Sequence, residues 1–394
     1  MGAAPMNLAE IQAELRRSKI DGWLFFDHHR RDPISYRVLG LIPDSPVTRR
    51  WFYFIPANGD PRGMVHQIEP NTLASLPGIQ VLYAGWGGLV EGLRTLLGKA
   101  ARIAMQYSPK CAIPYVSLVD AGTVELVRSL GVEVTSSADL VQYFESRWRS
   151  DQLEMHLEAG RRIDQIRRNA FDRISNALLL GGRITEWEVA EFIRHRFTEE
   201  DLITDHGPDV AVNANASNPH YEPKKDASAE IRPEDKVLID MWAKLNLPGA
   251  VYYDITWVGY CGPRPPADYE RVFTIVRDAR NRAVRHVEKS VAAGEPLQGY
   301  QVDDVARSYI KDNGYGQFFF HRTGHSIGEE VHGTGANMDN LETHDERQVI
   351  AGTCFSIEPG IYLPEFGIRS EVDVYVGASE ARVTGEVQDK LVLL

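Results

Sequence analysis

Three histidines, His321, His325 and His332, stand at offsets of four and seven in the run HRTGHSIGEEVH. Neutral imidazole is a ligand for divalent transition metals, and Gly324 and Gly328 let the backbone come close to an ion or a substrate. Such a site needs carboxylates, and they occur on both sides of the run. Upstream, residues 236–240 and 251–256 place Asp240 and Asp254 among β-branched and aromatic residues, with Pro248 and Gly249 as a turn between them. Downstream, 354–360 and 367–374 carry Glu358 and Glu371 in stretches that read the same way. Four buried carboxylates crowded together would drive their own pKa values up, and bound cations remove that penalty. Two divalent ions bring four positive charges, so Asp240, Asp254, His325, Glu358 and Glu371 are expected to make a charge-balanced dinuclear centre. An oxygen-rich set with one imidazole suits Mn(II), Co(II), Fe(II) or Zn(II), and the lack of thiolate ligands argues against a structural zinc.

These segments resemble the pita-bread metallohydrolases, the family of methionine aminopeptidase, aminopeptidase P and prolidase, whose ligand order Asp, Asp, His, Glu, Glu is matched one by one. The resemblance is nearest to the proline-specific branch, through His321 and His332 around the His ligand, His220 and Tyr221 upstream, and Arg369 two residues before the last Glu. It covers nearly the whole chain, weakly before residue 150 and strongly after 205. By this resemblance Asp254 and Glu371 bridge the two ions, Asp240 binds one and His325 the other, with manganese the first choice of metal. Glu358 is then the general base: it takes the proton of a metal-bridging water, whose hydroxide attacks the carbonyl, and passes it to the departing amine. His332 and His220 would hold the carbonyl and its developing oxyanion, the alternative being satisfied structural histidines. His321 would line the pocket for the residue after the scissile bond or support the fold. Arg369 would steady Asp240 or contact the substrate. The resemblance further implies a homodimer and a peptide substrate with proline in second position, cleaved by an Xaa-Pro aminopeptidase or dipeptidase (prolidase) activity.

Four departures from the family pattern stand out. Trp257 follows Asp254, Ile255 and Thr256 where an Arg is usual, which would reshape the pocket. The stretch from Asp240 to Asp254 is longer than usual, so 246–251 would project as a loop. Gly333 replaces an acid after His332. Residues 342–347 are largely acidic, which disfavours a strict dipeptidase because a dipeptide's free carboxylate needs a cation. An alternative is therefore a small-molecule amide or amidine C–N hydrolase on the same fold, and a further one a non-catalytic binding scaffold. Gly324 and Gly328 lack P-loop spacing, and no GxSxG or Cys with a partnered His supports a nucleophile mechanism.

The elements that must position these residues follow from periodicity. The fold class expected is α/β (α+β): a mixed α/β domain at 1–149, creatinase-like by the resemblance, then a pita-bread catalytic domain at 150–394. In the first, a helix capped by Asn7 precedes a buried strand at 23–26, and strands at 51–55, 63–66, 79–83, 103–107 and 132–135 alternate with helices at 89–97 and 117–130. The cluster Asp27, His28, His29, Arg30, Arg31, Asp32 reads as a solvated loop rather than a metal site. In the second, Ser150 is expected to cap a long helix ending at Gly181 and Gly182. Thr185 and Glu188 have capping-box spacing, and long helices follow at 267–293 and 301–313.

With 394 residues the chain is long enough for two domains. A net charge of −12 opposes binding to nucleic acid or an anionic membrane. Cys111, Cys261 and Cys354 are odd in number and far apart, as reduced thiols in a cytoplasmic protein would be. The first seven residues lack a signal-peptide pattern, Met6 stands where a myristoylation signal has Ser or Thr, and no run would span a bilayer.

Overall fold

The computed structural model describes residues 6–42 and 46–394. Met1 and Gly2, where the myristoylation pattern begins, lie outside them. The chain divides into two compact units at Glu145 and Ser146.

In the first unit the order is α1 (Leu8–Arg17), β1 (Gly22–Asp27), α2 (Pro33–Leu39), β2 (Trp51–Pro56), β3 (Arg62–His66), β4 (Ile79–Tyr83), α3 (Trp86–Leu97), β5 (Arg102–Met105), α4 (Ala121–Ser129), β6 (Glu133–Ser136) and α5 (Ala138–Val141). The strands form one sheet, β4-β3-β2-β1-β5-β6, in which only β2 runs against the others. Helices cover both faces, so β1 is apolar throughout: Trp23 and Phe25 pack with α1 and α2, Leu24 and Phe26 with α3 and α4. Helix α4 starts later than its periodicity predicts, because the Asp120 carboxylate takes the Thr123 N–H at 2.9 Å and sets the cap there. The 27–32 loop is not simply solvated. Asp27 is buried and accepts the N–H groups of Arg30, Arg31 and Asp32, while Asp32 caps α2, a helix the sequence pattern did not disclose.

The second unit opens with α6 (Ser150–Leu179) and α7 (Glu186–Glu199). Ser150 is not the cap of α6: Arg149 is, its N–H closed by the Gln152 side chain at 3.1 Å. The capping box at Thr185 and Glu188 forms as its spacing predicts. Then come β7 (Leu202–Ile203), β8 (Asp209–Val212), β9 (Lys236–Leu245), β10 (Tyr253–Tyr260), α8 (Ala267–Ala293), α9 (Gly299–Asp312) and β11 (Ser326–Ile327). The chain closes with β12 (Cys354–Ile357), β13 (Gly360–Leu363), β14 (Phe366–Arg369), β15 (Val372–Val376), β16 (Ala381–Val383) and β17 (Val392–Leu393). One sheet is ordered β17-β10-β9-β7 with β8 also on β9; a second is β11-β12-β15-β16; β13 and β14 form a hairpin. Two large apolar cores result, α6 and α7 against β8 to β10 and α8 and α9 against β12 to β15, with a smaller cluster around Trp148, Trp242 and Ile327.

Strand alternation aims the acids. On β9, Ile239 and Met241 join the α6 core, so Asp240 faces the other way; on β10, Tyr253 and Ile255 do the same and turn Asp254 and Thr256 outward from it. The hairpin tip between these strands does not project freely. The Asn246 N–H donates to the Asp201 carbonyl at 3.0 Å, and Gln152 Nε2 holds the Gly249 carbonyl at 2.9 Å. Gly249, at φ 78°, supplies the left-handed turn residue. Among the described residues no helix is long and apolar enough to cross a membrane.

Candidate metal centre

Asp240 and Thr256 are cross-strand partners on β9 and β10. The Thr256 hydroxyl lies 2.9 Å from Asp240 Oδ1 and 2.8 Å from Glu371 Oε2, sharing its one proton between two carboxylates, and accepts from Arg369 Nε at 3.0 Å. Glu371 sits in the break between β14 and β15, its N–H on the Thr256 carbonyl. Asp254, His325 and Glu371 each present a ligand atom within 4.8 Å of the others, and all three are buried. His325 Nε2 is 3.4 Å from Glu358 Oε1 and 3.7 Å from Asp254 Oδ2. Its Nδ1 faces the Ser326 carbonyl at 3.3 Å, which assigns the proton to Nδ1 and leaves the Nε2 lone pair toward the carboxylates. The five expected ligands are therefore brought to one place.

The electrostatics of this cluster are unfavourable without further cations. Burial first, and then Glu371 and Asp240, push Asp254 well above the usual carboxylate range. Burial, then Glu358 and Asp240, do the same to Glu371. Burial pushes Glu358 up to about 7 although Arg369 pulls the other way. Asp254 Oδ1 is buried with no hydrogen-bond partner. Burial, then His332, hold the His325 pKa well below its ordinary value, so the ring is a neutral donor. Hard oxygens, one free imidazole lone pair and an orphaned carboxylate oxygen fit divalent cations, and this donor set supports divalent metal binding.

The flanking residues divide. Arg369 forms an ion pair with Asp240, lies 3.7 Å from Glu358 Oε2 and donates to the Tyr362 hydroxyl at 3.1 Å, so it meets the centre directly. His321 Nδ1 is 2.7 Å from the Arg322 carbonyl and Nε2 2.7 Å from the Tyr362 hydroxyl, so the proton is on Nδ1 and Nε2 accepts from Tyr362. Burial, then Arg369, press its pKa down to about 3. His332 stacks edge-on to His325 at 4.4 Å between centroids. It reaches solvent, yet desolvation by the surrounding protein, then Arg322 and His220, bring its pKa to about 4. His220 is exposed, on a loop whose charge is felt at His332.

Several supports escaped the sequence reading. Tyr362 joins His321 to Arg369. Ser356 Oγ accepts the His325 N–H at 3.0 Å and lies 3.2 Å from Glu358 Oε1. Glu186, fully buried, gathers the Val212 N–H, Asn215 Nδ2, the Tyr221 hydroxyl and the Ala229 N–H, and so shapes the loop that carries His220. Buried Arg280 on α8 reaches Ser370 Oγ at 2.6 Å, between Arg369 and Glu371. The alternation of β10 alone could have placed Trp257. It points away from Asp254 and Thr256 into the α6 core, its ring 3.5 Å from the Arg167 guanidinium carbon, so it does not reshape the pocket. Arg347 in the acidic 342–347 segment is paired with buried Asp345 at 2.6 Å.

The profile of metallopeptidase family M24 matches residues 154–378, which contain all five expected ligands. An Xaa-Pro dipeptidase of Lactobacillus delbrueckii subsp. lactis is 30% identical over 217 residues, 54% of this chain and 53% of that protein. The chain spans about half the length of the curated relatives it matches. Among solved structures, dipeptidase PepE from Mycobacterium ulcerans has a TM-score of 0.70 at 23% identity, over 98% of this chain and 96% of that one. An X-prolyl aminopeptidase from Caenorhabditis elegans, described as a cytosolic enzyme with a di-nuclear active site, gives 0.67 at 17% identity over 96% of this chain and 61% of that one. At such identities the likeness establishes the fold, and the expected mixed α/β class with a pita-bread second unit holds.

Proposed function

The chain belongs to metallopeptidase family M24, and on that premise we propose that it is a metal-dependent Xaa-Pro peptidase releasing the N-terminal residue that precedes proline. The observation that carries this is the buried meeting of Asp254, His325 and Glu371 with Asp240 and Glu358 around Thr256. In this reading those five residues hold two divalent ions, Mn(II) by preference and Co(II), Zn(II) or Fe(II) as substitutes, which when bound supply Lewis acidity and an activated water. Glu358 accepts the proton of the attacking water at its carboxylate and delivers it to the prolyl nitrogen as the C–N bond breaks. His332 and His220 act as N–H donors to the scissile carbonyl oxygen. The exposed His332 ring against His325, with His220 near enough to act on it, supports that role. His321, pinned by Tyr362, forms a wall for the proline ring, and Arg369 fixes Asp240.

The catalytic machinery is assigned to a domain at 150–394, and the protein to a homodimer in the cytoplasm. Its three cysteines are free, as that compartment requires. Since Arg347 is tied to Asp345, its guanidinium is not free for a dipeptide carboxylate, which supports preference for Xaa-Pro-Xaa over Xaa-Pro. The reading is tested by release of free amino acid from paired Xaa-Pro and Xaa-Pro-Xaa peptides with Mn(II), against Xaa-Ala-Xaa and the Glu358→Gln variant. Cleavage restricted to proline substrates and lost in the variant is expected. Absence of cleavage in metal-loaded protein contradicts it.

A further inference from the structure

The first unit holds a cleft of its own. A cleft of about 640 Å³ opens at one edge of its six-stranded sheet. Phe26, His66 and Tyr83 line it from the carboxyl ends of β1, β3 and β4, which run in one direction. Because β2 runs the other way, Arg50, just ahead of it, reaches the same edge. The space outside the carboxyl ends of sheet strands is where α/β folds place small ligands.

Its charge runs against that of the molecule. In a chain with a net charge of −12, Arg31, Arg49 and Arg50 line the cleft against one acid, Asp120. Asp120 is engaged elsewhere, its carboxylate closed on the Thr123 N–H and hydroxyl at 2.9 and 2.8 Å. Arg31 and Arg50 have no carboxylate partner among the described residues. Guanidinium groups left so are forks waiting for an oxyanion. One wall is aromatic: Arg50 lies 5.8 Å from the exposed Trp86 ring, beside Tyr83. Trp86 begins α3, whose cap is Gly85 with no side chain closing the first N–H groups, and both line the cleft.

We propose that this cleft binds a phosphate-bearing small molecule, its phosphate held by Arg31 and Arg50 and a flat body laid against Trp86. Phosphate suits it better than a carboxylate, because the donors of the two unpaired guanidinium groups exceed what one carboxylate's two oxygens satisfy. The 640 Å³ is also too roomy for a bare ion. The site is separate from the carboxylate cluster in residues and in charge, and does not depend on the peptidase assignment.

The test is calorimetric titration of the full chain with inorganic phosphate and, in a second arm, adenosine monophosphate, in which the phosphate is joined to a flat ring. Arg31→Gln/Arg50→Gln and Trp86→Leu variants are run in parallel, with thermal melting to establish that each is folded. Both probes should bind the unaltered chain, adenosine monophosphate the more tightly. The arginine double variant should weaken both by about tenfold or more, the loss expected for charge-assisted hydrogen bonds. Trp86→Leu should weaken chiefly the nucleotide. No binding of either probe by the unaltered chain, or equal binding by the folded double variant, overturns the proposal.

Discussion

Asp303 on α9 accepts the Thr323 N–H at 3.0 Å and the Thr323 hydroxyl at 2.6 Å, and so fixes the backbone between His321 and His325. It is paired with Arg307 one turn on, which donates to the His321 carbonyl at 2.7 Å. The Asn340 N–H donates to it as well, at 3.1 Å, so removing the carboxylate strands a guanidinium and three donors together. Asp303→Ala is expected to lower unfolding stability by roughly 3 kcal/mol or more, and Asp303→Asn by less. Urea unfolding of the two variants checks the order.

Gly324 belongs to the same loop, but its reason for being glycine is packing. A Cβ there would overlap the carbonyl oxygen of Ser356, on the strand leading to Glu358. Gly324→Ala should therefore cost about 2 kcal/mol or more and displace His325 from Glu358. Thermal melting and metal affinity, measured together, are expected to fall in step.

Thr256 touches Asp240, Glu371 and Arg369 through one hydroxyl. Thr256→Val keeps the shape and removes that link. The loss expected is about 10–100-fold in metal affinity, the usual effect of deleting a group that orients ligands, with little change in substrate KM once metal is saturating. An unchanged metal affinity would show that the hydroxyl does not order the carboxylates.

How far the sequence spoke depended on the distance between partners. The five residues that meet around Thr256 were legible as candidates because each lies in a short stretch with its own spacing and strand character. Thr256 to Glu371, Asp303 to Thr323, Arg280 to Ser370 and Glu186 to Tyr221 were not, because no local pattern joins residues that meet only after folding. Two misreadings were local. Ser150 looked like a helix cap, but Gln152 reaches back one residue further, to Arg149. Trp257 looked like a pocket residue by its closeness to Asp254, whereas an odd offset on a strand points the other way.

Acid stability should carry the mark of His156. This ring is fully buried, with Nδ1 2.6 Å from the Tyr252 carbonyl and Nε2 2.7 Å from Thr384 Oγ1, and burial lowers its pKa to about 4. Unfolded, it titrates near 6.5, so between about pH 6.5 and 4 the unfolded chain binds the extra proton. Its contribution, of the order of 3 kcal/mol, is present above pH 6.5 and lost as pH falls toward 4. His156→Gln should flatten the pH dependence of stability in that window by about one proton, which denaturant titrations at a series of pH values would reveal.

The central claim is that the buried carboxylates around Thr256 are a dinuclear metal centre, and elemental analysis tests it most directly. After reconstitution with Mn(II) and removal of free metal, the account predicts two ions per chain. It also predicts a marked loss of bound metal in an Asp254→Asn/Glu371→Gln variant that remains folded. A folded, unaltered chain that retains no stoichiometric divalent metal, or a double variant that retains as much as the unaltered chain, would contradict it.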